Sequence, residues 1–135
     1  MRGRKPALKI IEGNANVGPI PSPPSSLDKH GKAEWKRVAP ILHGRGHLDE
    51  AVIATLESYC RSVALCRIYN DILDQEGHVL TSEKGKAKHP AFNMLMSVMR
   101  EQRLLAAELS LTPHRKRGGE PAEGGGDGWD SDLLA

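Results

Sequence analysis

The chain has 135 residues, 39% of them hydrophobic and 4% aromatic, and its 19 Lys and Arg against 17 Asp and Glu leave a formal charge of +2. That length is normally one domain, and with one Phe, two Trp and two Tyr its core must be aliphatic. The small net charge hides an asymmetry: residues 1–117 carry all 19 cations and 12 acids (+7), while residues 118–135 carry five acids and no Lys or Arg (−5). A cationic body seeks phosphates and an anionic end seeks a basic surface, so the layout points to a binding protein rather than an enzyme. No apolar run approaches a membrane span, and none follows the basic start as a signal peptide requires, so the expectation is a soluble, intracellular protein with no membrane partner.

Residues 1–26 contain Pro6, Pro19, Pro21, Pro23 and Pro24 among Gly and Ser, which forbids continuous helix and reads as a basic, Pro-rich arm or linker. Its Arg2, Arg4, Lys5 and Lys9 are the first candidate phosphate contacts, because closely spaced arginines suit the negative potential of an A·T-rich minor groove. Asp28 then offers an N-cap, and Trp35, Val38 and Leu42 follow at helical spacing, so a first helix is expected over 28–43, with Pro40 kinking it or starting a new turn. Lys29, Lys32 and Lys36 share a face away from the Trp35 stripe, as either a solvated basic face or a phosphate-facing surface.

After the turn His43-Gly-Arg-Gly-His47, Asp49 and Glu50 favour a helix start, and a second helix is expected from about 50 to 76, ending at Gly77. Val52, Leu56, Tyr59, Val63, Cys66, Asn70 and Leu73 alternate spacings of four and three as in a heptad seam, and Ile53, Cys60, Ala64, Ile68 and Ile72 widen the apolar surface. One face can serve the chain's own core and the other a second copy, so Val52, Leu56, Tyr59 and Val63, with Leu95 and Met99 of the third helix, are the candidate oligomerisation residues. Residues 78–90 read as a loop whose tip carries Lys84, Lys86 and Lys88, either phosphate-contacting or lysine-rich for solubility alone. Pro90 suits a first helical turn, and a third helix continues through Phe92, Leu95, Val98, Met99, Leu105 and Leu109, antiparallel to the second.

The expected fold class is therefore all-α: a short helix followed by a long antiparallel helical hairpin, with a disordered N-terminal arm and C-terminal tail. The expected divisions are the arm at 1–26, a helical DNA-binding and oligomerisation domain at 27–117, and an acidic flexible tail at 118–135. Within that tail Trp129, Leu133 and Leu134 stand beside acids, a combination that suits docking to a partner as well as screening the basic body.

No GxxxxGK[ST] loop occurs, which argues against nucleotide hydrolysis. His43 and His47 stand four apart, but Gly44 and Gly46 oppose a rigid helical presentation and no third ligand is evident, so no metal site and no cofactor is expected. Cys60 and Cys66 have no CxxC set and sit among Ile, Val and Leu, which favours packing in a reducing compartment over a disulfide, zinc or nucleophilic role. A helix-turn-helix reading of the first two helices meets a second helix too long for recognition and opened by acids.

The order of residues Gly3-Arg-Lys-Pro-Ala-Leu-Lys-Ile-Ile-Glu-Gly-Asn14, then the Pro-rich stretch, Trp35, Pro40, Leu42, Gly46, Leu48, Leu56, Tyr59-Cys60, His89-Pro90 and Leu109-Ser-Leu-Thr-Pro113 resembles the small subunit of tailed-phage terminases. The resemblance runs from Gly3 to about Arg115 and departs from the family pattern at Ser110, where Gly is usual, and at His114, where a small polar residue often follows. It implies a non-catalytic packaging component that assembles as a homo-oligomeric ring in the bacterial host's cytoplasm, recognises double-stranded viral DNA at the packaging site, and delivers it to the large subunit, which carries the ATPase and nuclease. The competing readings are a small helical DNA-binding transcriptional regulator and, among enzymes, a compact metal- or thiol-dependent hydrolase.

Overall fold

A computed structural model of the chain describes residues 16–112. Three helices, α1 (Lys29–Gly44), α2 (Glu50–Glu76) and α3 (Pro90–Glu108), are joined by a short turn and by a β-hairpin of β1 (Val79–Ser82) and β2 (Gly85–Lys88). α2 is the helix that packs on both of the others.

Each helix start is fixed by its sequence. Asp28 Oδ1 accepts the Gly31 N–H at 2.7 Å, Asp49 Oδ1 accepts the Val52 N–H at 2.9 Å, and His89 Nδ1 accepts the Ala91 N–H at 3.0 Å ahead of Pro90, supplying acceptors for otherwise orphaned first-turn donors. The helix of α1 continues through Pro40 to Gly44. It then closes with Gly46 left-handed (φ 69°), Gly46 N–H donating to His43 O and His47 N–H to Leu42 O, the paired bonds of a Schellman cap. α3 ends with the same pair of bonds, Ser110 to Ala107 and Leu111 to Ala106, but the left-handed position is held by Ser110 (φ 56°). The sequence departure at Ser110 thus falls where the backbone favours glycine.

The core has two parts. The larger gathers Leu27, Trp35, Val38, Ala39, Leu42, Leu48, Leu56, Tyr59, Cys60 and Leu109, and the smaller joins Leu73 to Ala91 and Leu95 near the hairpin. Leu73 against Leu95 and Cys66 against Gln102 (Sγ to Oε1, 3.1 Å) set α2 and α3 antiparallel, as the sequence spacing predicts.

Two findings differ from the sequence expectations. The fold is not strictly all-α: within the loop 78–90, Val79 pairs with Lys88, Leu80 with Ala87, Thr81 with Lys86 and Ser82 with Gly85. The hairpin forms because Gly85 takes φ 114° at the turn and the His89 N–H donates to His78 O at 3.0 Å at its base, joining the strand ends to the capped start of α3. Gly85-Lys-Ala-Lys has little β propensity, so composition gave no strand signal. Secondly, of the segment 1–26 read as arm and linker, residues 16–26 lie against the helices. Asn16 Nδ2 donates to His43 O (2.7 Å), Leu48 N–H donates to Asn16 Oδ1 (3.0 Å), Val17 N–H donates to Leu48 O (2.7 Å), and Trp35 Nε1 donates to Pro21 O (3.0 Å). The disordered-arm expectation for 1–15, and the tail expectation, lie outside the described residues.

Candidate nucleic-acid and partner interfaces

The six described candidate lysines fall into two groups. Lys29 and Lys36 are exposed and Lys32 half-buried on the outer face of α1, whereas Lys84, Lys86 and Lys88 are exposed on the hairpin. Among the described residues the ion pairs are Glu34–Arg37, Glu57–Arg61 and Glu76–His89, so no described carboxylate is paired with these lysines. α1 runs back along α2 from the 45–49 turn, and its start lies beside Arg61, Ala64, Leu65 and Ile68, short of the end of α2 from which the hairpin departs. They are neighbouring patches rather than one continuous surface. Arg2, Arg4, Lys5 and Lys9, and Trp129, Leu133 and Leu134, lie outside the described residues.

The hairpin is a chemical surface of its own. The register puts Lys86 and Lys88 on one face with Thr81 and Val79, because directly opposed residues share a face. Lys88 Nζ lies 5.3 Å from the centroid of the Phe92 ring, and His78 meets the same ring edge-on at 6.4 Å. Around them is an open depression of about 370 Å³ lined by His78, Val79, Lys86, Ala87, Lys88 and Phe92. Such a surface offers cations for phosphate or carboxylate and an apolar floor for a flat ring.

The apolar candidates are placed differently from the sequence reading of an outward seam. Leu56, Tyr59 and Leu95 are buried in the chain's own core, and Val52 and Val63 are half-buried against it. The stripe Val52–Leu56–Tyr59–Val63 packs in a cluster with α1 and with the end of α3. Of the six proposed oligomerisation residues only Met99, 50% exposed, faces outward. Ile68 on α2, from the set that widens the seam, is exposed, and Met94, Met96 and Leu104 on α3 and Ile41 on α1 are exposed helical apolar residues that sequence spacing did not single out. Flexible methionines are suited to an adaptable protein contact.

A buried polar network also left no mark on the sequence reading. Glu34, 9% exposed, takes Arg37 Nε at 3.1 Å and Arg37 Nη2 as well, and accepts from Tyr59 Oη at 3.2 Å, tying α1 to α2. The Arg37 hydrogen bonds hold the Glu34 carboxyl below its ordinary value of 4.5 against the opposing effect of burial. Burial, followed by the Glu34 charge, pushes the Tyr59 hydroxyl up. A Glu directly before the buried Trp35, with Arg three residues on, was the available signal.

Neither thiol has an activating partner. Burial pushes Cys60 up to about 12 and raises Cys66, the opposite of what a nucleophile requires. His43 Nε2 is 2.9 Å from Gly18 O, and among the described residues no three His, Cys, Asp or Glu gather as a metal site. Also among these residues, no helix is long and apolar enough to cross a membrane.

No curated protein and no solved structure matches the chain. A family model described as phage terminase, small subunit, matches residues 31–124. The match, 94 of the 135 residues, begins within α1, takes in the cap at Gly46, the whole of α2, the lysine hairpin, His89-Pro90 and α3, and runs into the tail. The match covers well over half of the chain, and the chain belongs to the phage terminase small-subunit family.

Proposed function

We infer from membership of that family that the chain has a role in phage DNA packaging. We propose that it is the non-catalytic recognition component of the packaging machine. Copies assemble into a closed ring in the bacterial host's cytoplasm, bind double-stranded viral DNA at the packaging site, and hand it to the large subunit, whose ATPase and nuclease do the chemistry.

The observation that carries this reading is the family match across 31–124. The hairpin and α1 lysines, none of them ion-paired among the described residues, support it as phosphate contacts, which position a protein on a duplex without reading sequence. The exposed Met94, Met96, Met99 and Leu104 support self-association, because four large apolar side chains on one helix of a small domain are costly to leave in water. The raised thiols weigh against the hydrolase alternative.

Native mass spectrometry of the full chain, followed by duplex binding across a salt series with packaging-site and scrambled DNA, tests the proposal. A closed oligomer that prefers the packaging site and captures the large subunit is expected. A stable monomer at micromolar concentration, or equal affinity for both duplexes at every salt, would overturn it.

A further inference from the structure

We propose that the depression on the hairpin is a docking site for the chain's own C-terminal segment, with Trp129 seated against Val79, Ala87 and Phe92 and Asp127, Asp130 and Asp132 facing Lys84, Lys86 and Lys88. The proposal goes beyond the packaging role and does not depend on DNA.

Three observations carry it. The first is the receptor: Val79 is 57% exposed, Phe92 presents a ring with a lysine above it, and the depression of about 370 Å³ lies open. A two-stranded hairpin is marginal on its own, so a covering segment would benefit it. The second is complementarity. Residues 118–135 hold five acids, no Lys or Arg and the second of the chain's two Trp, with three aspartates within three residues of it, while the hairpin offers three lysines around an apolar floor. An indole in an apolar recess gives affinity, and flanking opposite charges give register.

The third is reach. The described residues end at 112, beyond the end of α3 remote from the hairpin, so the segment must run back along 19 helical residues, about 28 Å. From there to Trp129 are 17 residues, which can span up to about 55 Å. Gly118, Gly119 and Gly124 to Gly126 permit the reversal of direction. A tethered segment also acts at an effective concentration of order millimolar, so a weak contact suffices. Docked there, the aspartates cover the hairpin lysines, and any other polyanion must displace them.

Tryptophan emission of the full chain, measured without nucleic acid, tests this. Trp35 is 1% exposed in the core, so the difference between the native chain and a Trp129→Phe variant isolates Trp129. The expected signal is a blue-shifted indole shielded from acrylamide. Lys86→Glu with Lys88→Glu should abolish that shielding, and so should Asp127→Asn, Asp130→Asn and Asp132→Asn together, a variant that alters no residue within 16–112. A Trp129 signal already water-exposed in the native chain, or shielding that survives the hairpin charge reversal, overturns the proposal. The packaging role would stand in either case.

Discussion

His89 meets Glu76 through Nε2 at 2.6 Å while its Nδ1 accepts the Ala91 N–H, so a single ring ties the end of α2 to the start of α3. Because Nδ1 is an acceptor, the proton resides on Nε2 and is donated to the carboxylate. His89→Ala removes both bonds and is expected to cost about 1–2 kcal/mol. His89→Asn, which can still cap but cannot reach Glu76, should lie between. Urea denaturation of the three proteins checks the order, and equal midpoints would refute it.

Ser110 stands at a left-handed cap position that Gly46 fills in α1. Ser110→Gly should therefore raise stability by about 1 kcal/mol, or roughly 4–8 °C in Tm for a domain of this size. Ser110→Val should lower it. A thermal melt that falls in the glycine variant would contradict the strain argument.

Glu34 titrates below its ordinary value in the folded state, so the unfolded chain takes up its proton first as pH falls. Its contribution is present above about pH 4.5 and is lost as pH drops through the lower folded value. Glu34→Gln should flatten this acid limb. Tyr59 is shifted the other way: its contribution holds below pH 10.0 and fades as pH rises beyond it, a limb absent from Tyr59→Phe. Stability against pH for the two variants and the native chain tests both signs.

Replacing Lys84, Lys86 and Lys88 with Ala removes exposed side chains and should leave the fold intact. The slope of log affinity against log salt is expected to shrink by roughly one for each lysine that neutralises a phosphate. Lys29, Lys32 and Lys36 form the second set for the same measurement. An unchanged slope would remove that set from the DNA-binding surface.

Met99→Glu should weaken self-association while leaving the melting curve of the subunit nearly unchanged, because the side chain is half exposed. Leu56→Ala should cost about 2–5 kcal/mol in the fold itself, since Leu56 is fully buried. Light scattering and denaturation together separate the two roles. A Met99 variant with unaltered mass would place the subunit interface elsewhere.

The helices were legible because their signals are local: Asp28, Asp49 and Pro90 mark starts, Gly77 marks a stop, and the apolar spacing between them is regular. What the seam packs against was not legible, for the same reason. Spacing shows that Leu56 and Tyr59 face something apolar, but α1 and α3 and a second copy look alike from one helix. The Asn16 clamp, the Tyr59–Glu34 bond and the hairpin join residues distant in sequence or depend on a φ of 114° at Gly85, none of which has a periodic trace. For the candidate site, the hairpin lysines were found by composition alone, whereas the ring of Phe92 beneath Lys88 needed the fold.

The clamp of Asn16 and Val17 on His43 and Leu48 holds the root of the basic arm, residue 16, at the turn that opens α2, the end opposite the hairpin. A helix of 27 residues spans about 40 Å, the length of roughly 12 base pairs of B-form duplex. A duplex lying along α2 would meet the arm's root and the hairpin lysines more than one helical turn apart. The footprint of a single subunit would then end in two patches of protected backbone, with the α1 lysines at a level between them, and shortening α2 by two turns would draw the two ends together by about 11 Å.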